Sequence, residues 1–158
     1  MRRNFTRRAL EWGLLVVVIL LLSGYFFREF RLVQAQGEMA AVKSTLGSLR
    51  TALLLDFLQR EAKHTSADVP MQRNPFLLLD HLPGNYAGVL DSGKGRVIQP
   101  GTWIFDSYCA CIGYEPLNTQ GLNTPEYAPA LWFRISVPPG PLQINPMQKY
   151  QWAGQSVD

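Results

Sequence analysis

From Trp12 to Phe27 sixteen consecutive residues carry no charge, and the apolar run reaches back to Ala9 with Glu11 as its one interruption. Nineteen helical residues at about 1.5 Å each cover roughly 28 Å, the thickness of a bilayer's hydrocarbon core. The pattern therefore predicts a membrane-spanning helix over 9–27. Beyond Arg28 it becomes amphipathic: Leu32, Ala35, Met39, Val42, Leu46, Leu49 and Leu53 recur at alternating steps of 3 and 4. This is a heptad-like seam on one face of a helix running to Lys63. Leu54, Leu55, Phe57 and Leu58 then widen the stripe, as a helix does when it enters a domain core.

After Pro70 short apolar runs alternate with turn signals. Asn74 and Pro75 open a short helix as N-cap and first helical residue. Strands are expected at 86–90, 96–99, 102–106, 108–114 and 131–137. In the last, Leu131, Phe133, Ile135 and Val137 alternate with Trp132, Arg134 and Ser136, the mark of a half-buried strand. From Pro138 onward no period is visible, and an irregular Pro/Gln-rich tail is expected over 138–158. The resulting fold class is α+β, an antiparallel sheet of three to five strands laid on the end of a long helix. Its segments are a basic tail (1–8), a transmembrane helix (9–27), an amphipathic helix (28–63), an α+β domain (64–137) and the tail.

Composition sharpens this division. All eleven prolines lie between Pro70 and Pro146, and only four of the thirteen glycines precede residue 70. The formal charge of +3 comes from Arg2, Arg3, Arg7 and Arg8, since the rest holds eleven basic and twelve acidic residues. A folded part so near neutrality lacks the basic face that nucleic acid requires. Four arginines before the span, against a net +1 from Arg28, Glu29 and Arg31 after it, place the N-terminus in the cytoplasm. A cleaved signal peptide shares the basic and apolar regions, but no small-x-small site follows the run directly.

Candidate chemistry is sparse. Glu11, a carboxylate at the edge of hydrocarbon, needs a partner, either Arg7 or Arg8 one turn back or a group on a neighbouring helix. Cys109 and Cys111 stand two apart on an expected strand, near the long limit for a disulfide. A strained bridge, two buried thiols and a bridge to another subunit all stay open. His64 and His81 are too few and too distant for a metal site. No cofactor motif and no grouping of acid, base and nucleophile appears, and a non-enzymatic role is expected.

The order of these elements resembles the type IV pilins and type II secretion pseudopilins. The match rests on Ala9-Leu10-Glu11 followed by the Leu14–Leu22 run, a Glu before a Val/Ile/Leu stretch. Asn74-Pro75, Asn85-Tyr86-Ala87-Gly88, Gly101 to Asp106 and Gly113-Tyr114-Glu115-Pro116 resemble a pilin-like family associated with mannose-sensitive haemagglutinin (MSHA) pilus biogenesis. The resemblance implies a pilin-like fold and a structural or assembly subunit of such a pilus or of related type II secretion machinery. Its setting would be a bacterial inner membrane with the domain in the periplasm. Partners would be other pilin-like or assembly-platform membrane proteins, or further copies of the chain, packed along the Leu32–Leu53 seam, with Glu11 as a contact within the membrane. The alternative is a single-span scaffold of the assembly platform with a periplasmic coiled coil. One departure stands out: Arg7-Arg8 follow Asn4-Phe5-Thr6 and no glycine precedes Gly13, so the cleavage site of prepilins is missing. The chain is expected to escape prepilin peptidase.

Overall fold

A chain free of proline to residue 69 and rich in Leu, Arg and Ala forms one helix, α1 (Arg2–Ala62), with no break at residues 28–31. The computed structural model describes residues 2–63, 73–90, 98–124, 130–136 and 142–157, with side chains from Glu11 onward. Two units divide the chain, Met1–Gln34 and Ala35–Asp158. The first is helix alone. Its apolar residues from Trp12 to Phe27 are all exposed within the chain, and the helix is long and apolar enough to cross a membrane.

The second unit is an α+β domain that includes α1 from Ala35 onward. Asn74 caps a 3-10 turn (Pro75–Leu78), its side-chain oxygen accepting the Phe76 N–H at 3.1 Å. The strands are β1 (Tyr86–Val89), β2 (Trp103–Asp106), β3 (Cys111–Tyr114), β4 (Leu122–Asn123), β5 (Leu131–Ser136), β6 (Gln143–Pro146), β7 (Gln151–Trp152) and β8 (Gln155–Ser156). Five of them make a sheet of order β1-β2-β3-β5-β6, and β4-β7-β8 make a second, smaller one. One cluster unites the domain: Met39, Val42, Leu46, Leu49 and Leu53 of α1 with Phe76, Trp103, Phe105, Ile112, Leu131, Phe133 and Ile135.

The expectation of an antiparallel sheet is corrected at one edge. β1 runs parallel to β2, with Tyr86 opposite Trp103 and Val89 opposite Phe105. Residues 90–102 join them, the length that a parallel crossover needs and a hairpin does not. Of the strand expected at 96–99, the first two residues lie outside the described residues. Ile98 is buried without being a strand residue. It covers the outer surface of the sheet, where a Cβ on Gly113 would meet Ile98 Cδ1 at 2.7 Å and Trp132 at 3.0 Å. Glycine at 113 leaves that space to Ile98 and Trp132, and β2 and β3 are buried at every position.

The irregular tail is also corrected. Within 142–157 the chain supplies β6, β7 and β8, and Ile144, Tyr150, Trp152 and Val157 are buried. β7 and β8 turn through Ala153 (φ 48°) and Gly154 (φ 80°), the two left-handed residues of a tight hairpin. Strands of two residues have no room to display a period. Pro146 ends β6 on the sheet's edge, where a missing N–H costs nothing.

Candidate functional site

The seam is the first feature to place. Ala35, Met39, Val42, Leu46, Leu49 and Leu53 are all buried, while Leu32, in the first unit, is exposed. The domain's own sheet takes up the stripe that was expected to hold partner helices. From Ala35 to Leu53 the stripe is therefore part of the domain core. The expected division between a helix at 28–63 and a domain from 64 moves accordingly to Ala35.

The rest of α1 is organised in an unusual sense. Charged side chains between residues 36 and 60 are Glu38, Lys43, Arg50, Asp56 and Arg60, and none is fully exposed. Lys43 Nζ donates to Gln155 Oε1 at 3.4 Å and Arg50 Nη2 to the Ile144 carbonyl at 3.1 Å. Asp56 Oδ2 accepts from Arg60 Nε at 2.9 Å, and its Oδ1 accepts from Arg73 Nη1 at 3.4 Å. Glu38 is the most heavily used. Its Oε1 accepts the Tyr114 hydroxyl at 2.8 Å and the Leu117 N–H at 2.6 Å, and its Oε2 accepts the Asn118 N–H at 3.0 Å. Burial pushes the Tyr114 hydroxyl well above the ordinary phenol range, and the adjacent carboxylate adds to the shift.

The exposed residues over the same stretch are Gln36, Gly37, Ala40, Ala41, Ser44, Gly47, Ser48, Thr51, Leu54, Leu55, Leu58 and Gln59. None is charged. A helix facing water normally puts its charges outward; here every charged side chain from 36 to 60 is half-buried and the outer face is neutral. Two of its three exposed hydroxyls are also occupied. Ser48 donates to the Ser44 carbonyl at 3.1 Å and Thr51 to the Gly47 carbonyl at 2.9 Å, and half-buried Thr45 donates to Ala41 at 3.1 Å. A Cβ on Gly37 or Gly47 would meet nothing within 4 Å. At both glycines the space a side chain would take is open within the chain.

Toward its C-terminal end this face becomes the floor of an open groove of about 920 Å³. Ser48, Thr51 and Leu55 form the floor, and Leu78, Leu79 and Pro83 form the opposite wall. Leu54, Leu58, Leu77 and Leu82 are exposed in the same segments, each between 45% and 67%. Asp56 and Asp80 also line it, so carboxylates stand beside its leucines and hydroxyls. Among the described residues no cluster of three or more His, Cys, Asp or Glu side chains could hold a metal. His81 lies on the groove wall, and His64 is outside the described residues.

The remaining expected site residues lie elsewhere. Glu11 is exposed on α1 and engaged by an interaction within the chain. Cys109 and Cys111 are joined as a disulfide with Cα atoms 5.2 Å apart. The expected strand over 108–114 shortens to 111–114, and Cys109 falls in the turn before it. Ala110, with φ 50°, folds the backbone so that the two Cα atoms come well within bonding reach. Sequence reasoning passed over both Glu38 and the neutral outer face. The second had a signal, the absence of charge opposite the seam; Glu38 had only its place beside the seam.

Comparison with family models, with curated proteins and with solved structures gives no match.

Proposed function

We propose that the protein is a structural or assembly subunit anchored by a single span in a bacterial inner membrane, with its α+β domain in the periplasm. The pilin-like resemblance assigns it to an MSHA-type type IV pilus or related type II secretion machinery. The observation that carries the reading is the uncharged outer face of α1 between Gln36 and Gln59. An exposed helix surface without charge is poorly solvated and is suited to burial against another helix. The apolar run at 12–27, bare within the chain, supports the membrane anchor. The scaffold alternative requires a free coiled-coil seam, and the residues that would form it are buried in the domain.

The contact surface is thus the face opposite the one expected from the heptads. Site-specific photocrosslinking in cells separates the two. Probes at Ser48 and Thr51 should give crosslinks to other membrane proteins of the assembly or to further copies of the chain. Probes at Met39 and Val42 should give only intramolecular products. Intermolecular crosslinks confined to Met39 and Val42, or none from any of the four positions, would reject the reading.

A further inference from the structure

The geometry points to the Cys109–Cys111 bridge as a thiol–disulfide exchange site, opened at Cys109 by an exogenous thiol and resolved by Cys111. It lies at the tip of the β2–β3 hairpin, where Asp106 and Cys111 are paired across the strands and residues 107–110 form the loop. The inference stands apart from the assembly reading, because it uses no residue of the outer helix face.

Three observations carry it. The bridge spans two residues, and a loop that short restrains the unfolded chain least of all, so stabilisation is a weak reason for its presence. The two sulfurs are unequally accessible: Cys111 is wholly buried in the central strand, and Cys109 is partly exposed beside Tyr108, itself 86% exposed. Finally, Ala110, between the two cysteines, lies in the left-handed region, where an alanine pays a steric cost, and its carbonyl accepts the Ile135 N–H at 3.0 Å.

Attack by an incoming thiolate falls on the accessible sulfur. A bond forms between that thiolate and Cys109 Sγ, the Cys109–Cys111 bond breaks, and the electron pair leaves on Cys111 Sγ, which takes a proton from solvent. Cys111 can return to Cys109 and expel the incoming thiol, restoring the bridge. If the reductant is a dithiol, its second thiolate attacks its own sulfur in the mixed disulfide and releases Cys109. The cysteine pair then gains two electrons and two protons, and the dithiol becomes a disulfide. The co-reactant is thus a monothiol such as glutathione or a dithiol oxidoreductase.

The test uses the full-length oxidised protein in detergent with reduced glutathione, quenched in acid, alkylated and mapped by peptide mass. Tryptophan fluorescence monitors the fold throughout. The expected product carries glutathione on Cys109 and the alkyl group on Cys111, exceeding the reverse product by at least about tenfold while the fluorescence stays native. Cys111→Ser should take glutathione from oxidised glutathione readily, and Cys109→Ser about tenfold more slowly. Equal adducts at the two positions, a preference for Cys111, or no adduct until the domain unfolds would overturn the proposal; because the first arm uses the unsubstituted chain, a variant that fails to fold does not rescue it.

Discussion

The two faces of α1 within the domain reverse the usual arrangement of a surface helix. The inner side holds the apolar seam, and its flanks hold every charge between residues 36 and 60. The outer side is neutral, with exposed leucines at 54, 55 and 58. Charge normally keeps a helix surface in water; here it joins the helix to its own sheet through Lys43, Arg50 and Glu38. The contrast teaches that the two sides have different tasks. The inner side builds the domain, and the outer side is left without the groups that would make exposure to water comfortable.

The largest effect that can break this contrast is a cavity in the inner side. Leu46 is wholly buried in the core cluster. Leu46→Ala should cost about 2–5 kcal/mol of domain stability, the sum of lost transfer energy and the void left behind. Ser48→Ala, on the outer side, should stay within about 0.5 kcal/mol. Denaturant titration followed by tryptophan fluorescence compares the two, and equal losses would mean that the outer side is also packed within the chain.

Glu38 comes next, because it joins the helix to the segment after β3. Glu38→Ala leaves the Tyr114 hydroxyl and the Leu117 and Asn118 N–H groups without their acceptor. The expected loss is about 1–3 kcal/mol, limited by water reaching the exposed Leu117. Amide exchange should rise at Leu117 and Asn118 and stay unchanged in β5. A uniform rise over the sheet would show that Glu38 supports the whole domain and not this one attachment.

These residues also mark what a sequence reading reaches. The seam from Ala35 to Leu53 was legible because burial on a helix repeats every 3 to 4 residues, whatever covers it. The covering element was not legible: the same heptads suit a partner helix or a sheet, and only the register of Leu131, Phe133 and Ile135 against the helix decides between them. The half-buried strand at 131–136 could be read from its alternation. β1 could not be placed, since a four-residue strand carries no mark of parallel pairing. β7 and β8 were missed because Trp152-Ala153-Gly154-Gln155 lacks the usual Asn-Gly turn. Leu54, Leu55 and Leu58 widened the stripe in sequence yet lie exposed, so their hydrophobicity signalled a surface where a core was expected.

The smallest effect concerns the pH at which the inner attachment fails. In the folded chain the Tyr114 hydroxyl ionises at a higher pH than in the unfolded chain, first because it is buried and then because Glu38 disfavours a second negative charge. Below the unfolded value of about 10 both states hold the proton, and the contribution of Tyr114 is fully present. Above it the unfolded chain releases the proton while the folded chain retains it, so stability falls as pH rises, by at most about 1.4 kcal/mol per pH unit for one group. Burial raises Tyr86 in the same direction, against a smaller lowering by its hydrogen bond to Asn74, and its share persists when Tyr114 is removed. Tyr114→Phe should therefore show a shallower alkaline fall than the parent chain between about pH 10 and 12, seen as a smaller drop in denaturation midpoint. Identical slopes would mean that the Tyr114–Glu38 contact opens before the domain unfolds, so that this attachment adds nothing to the hold of the inner side.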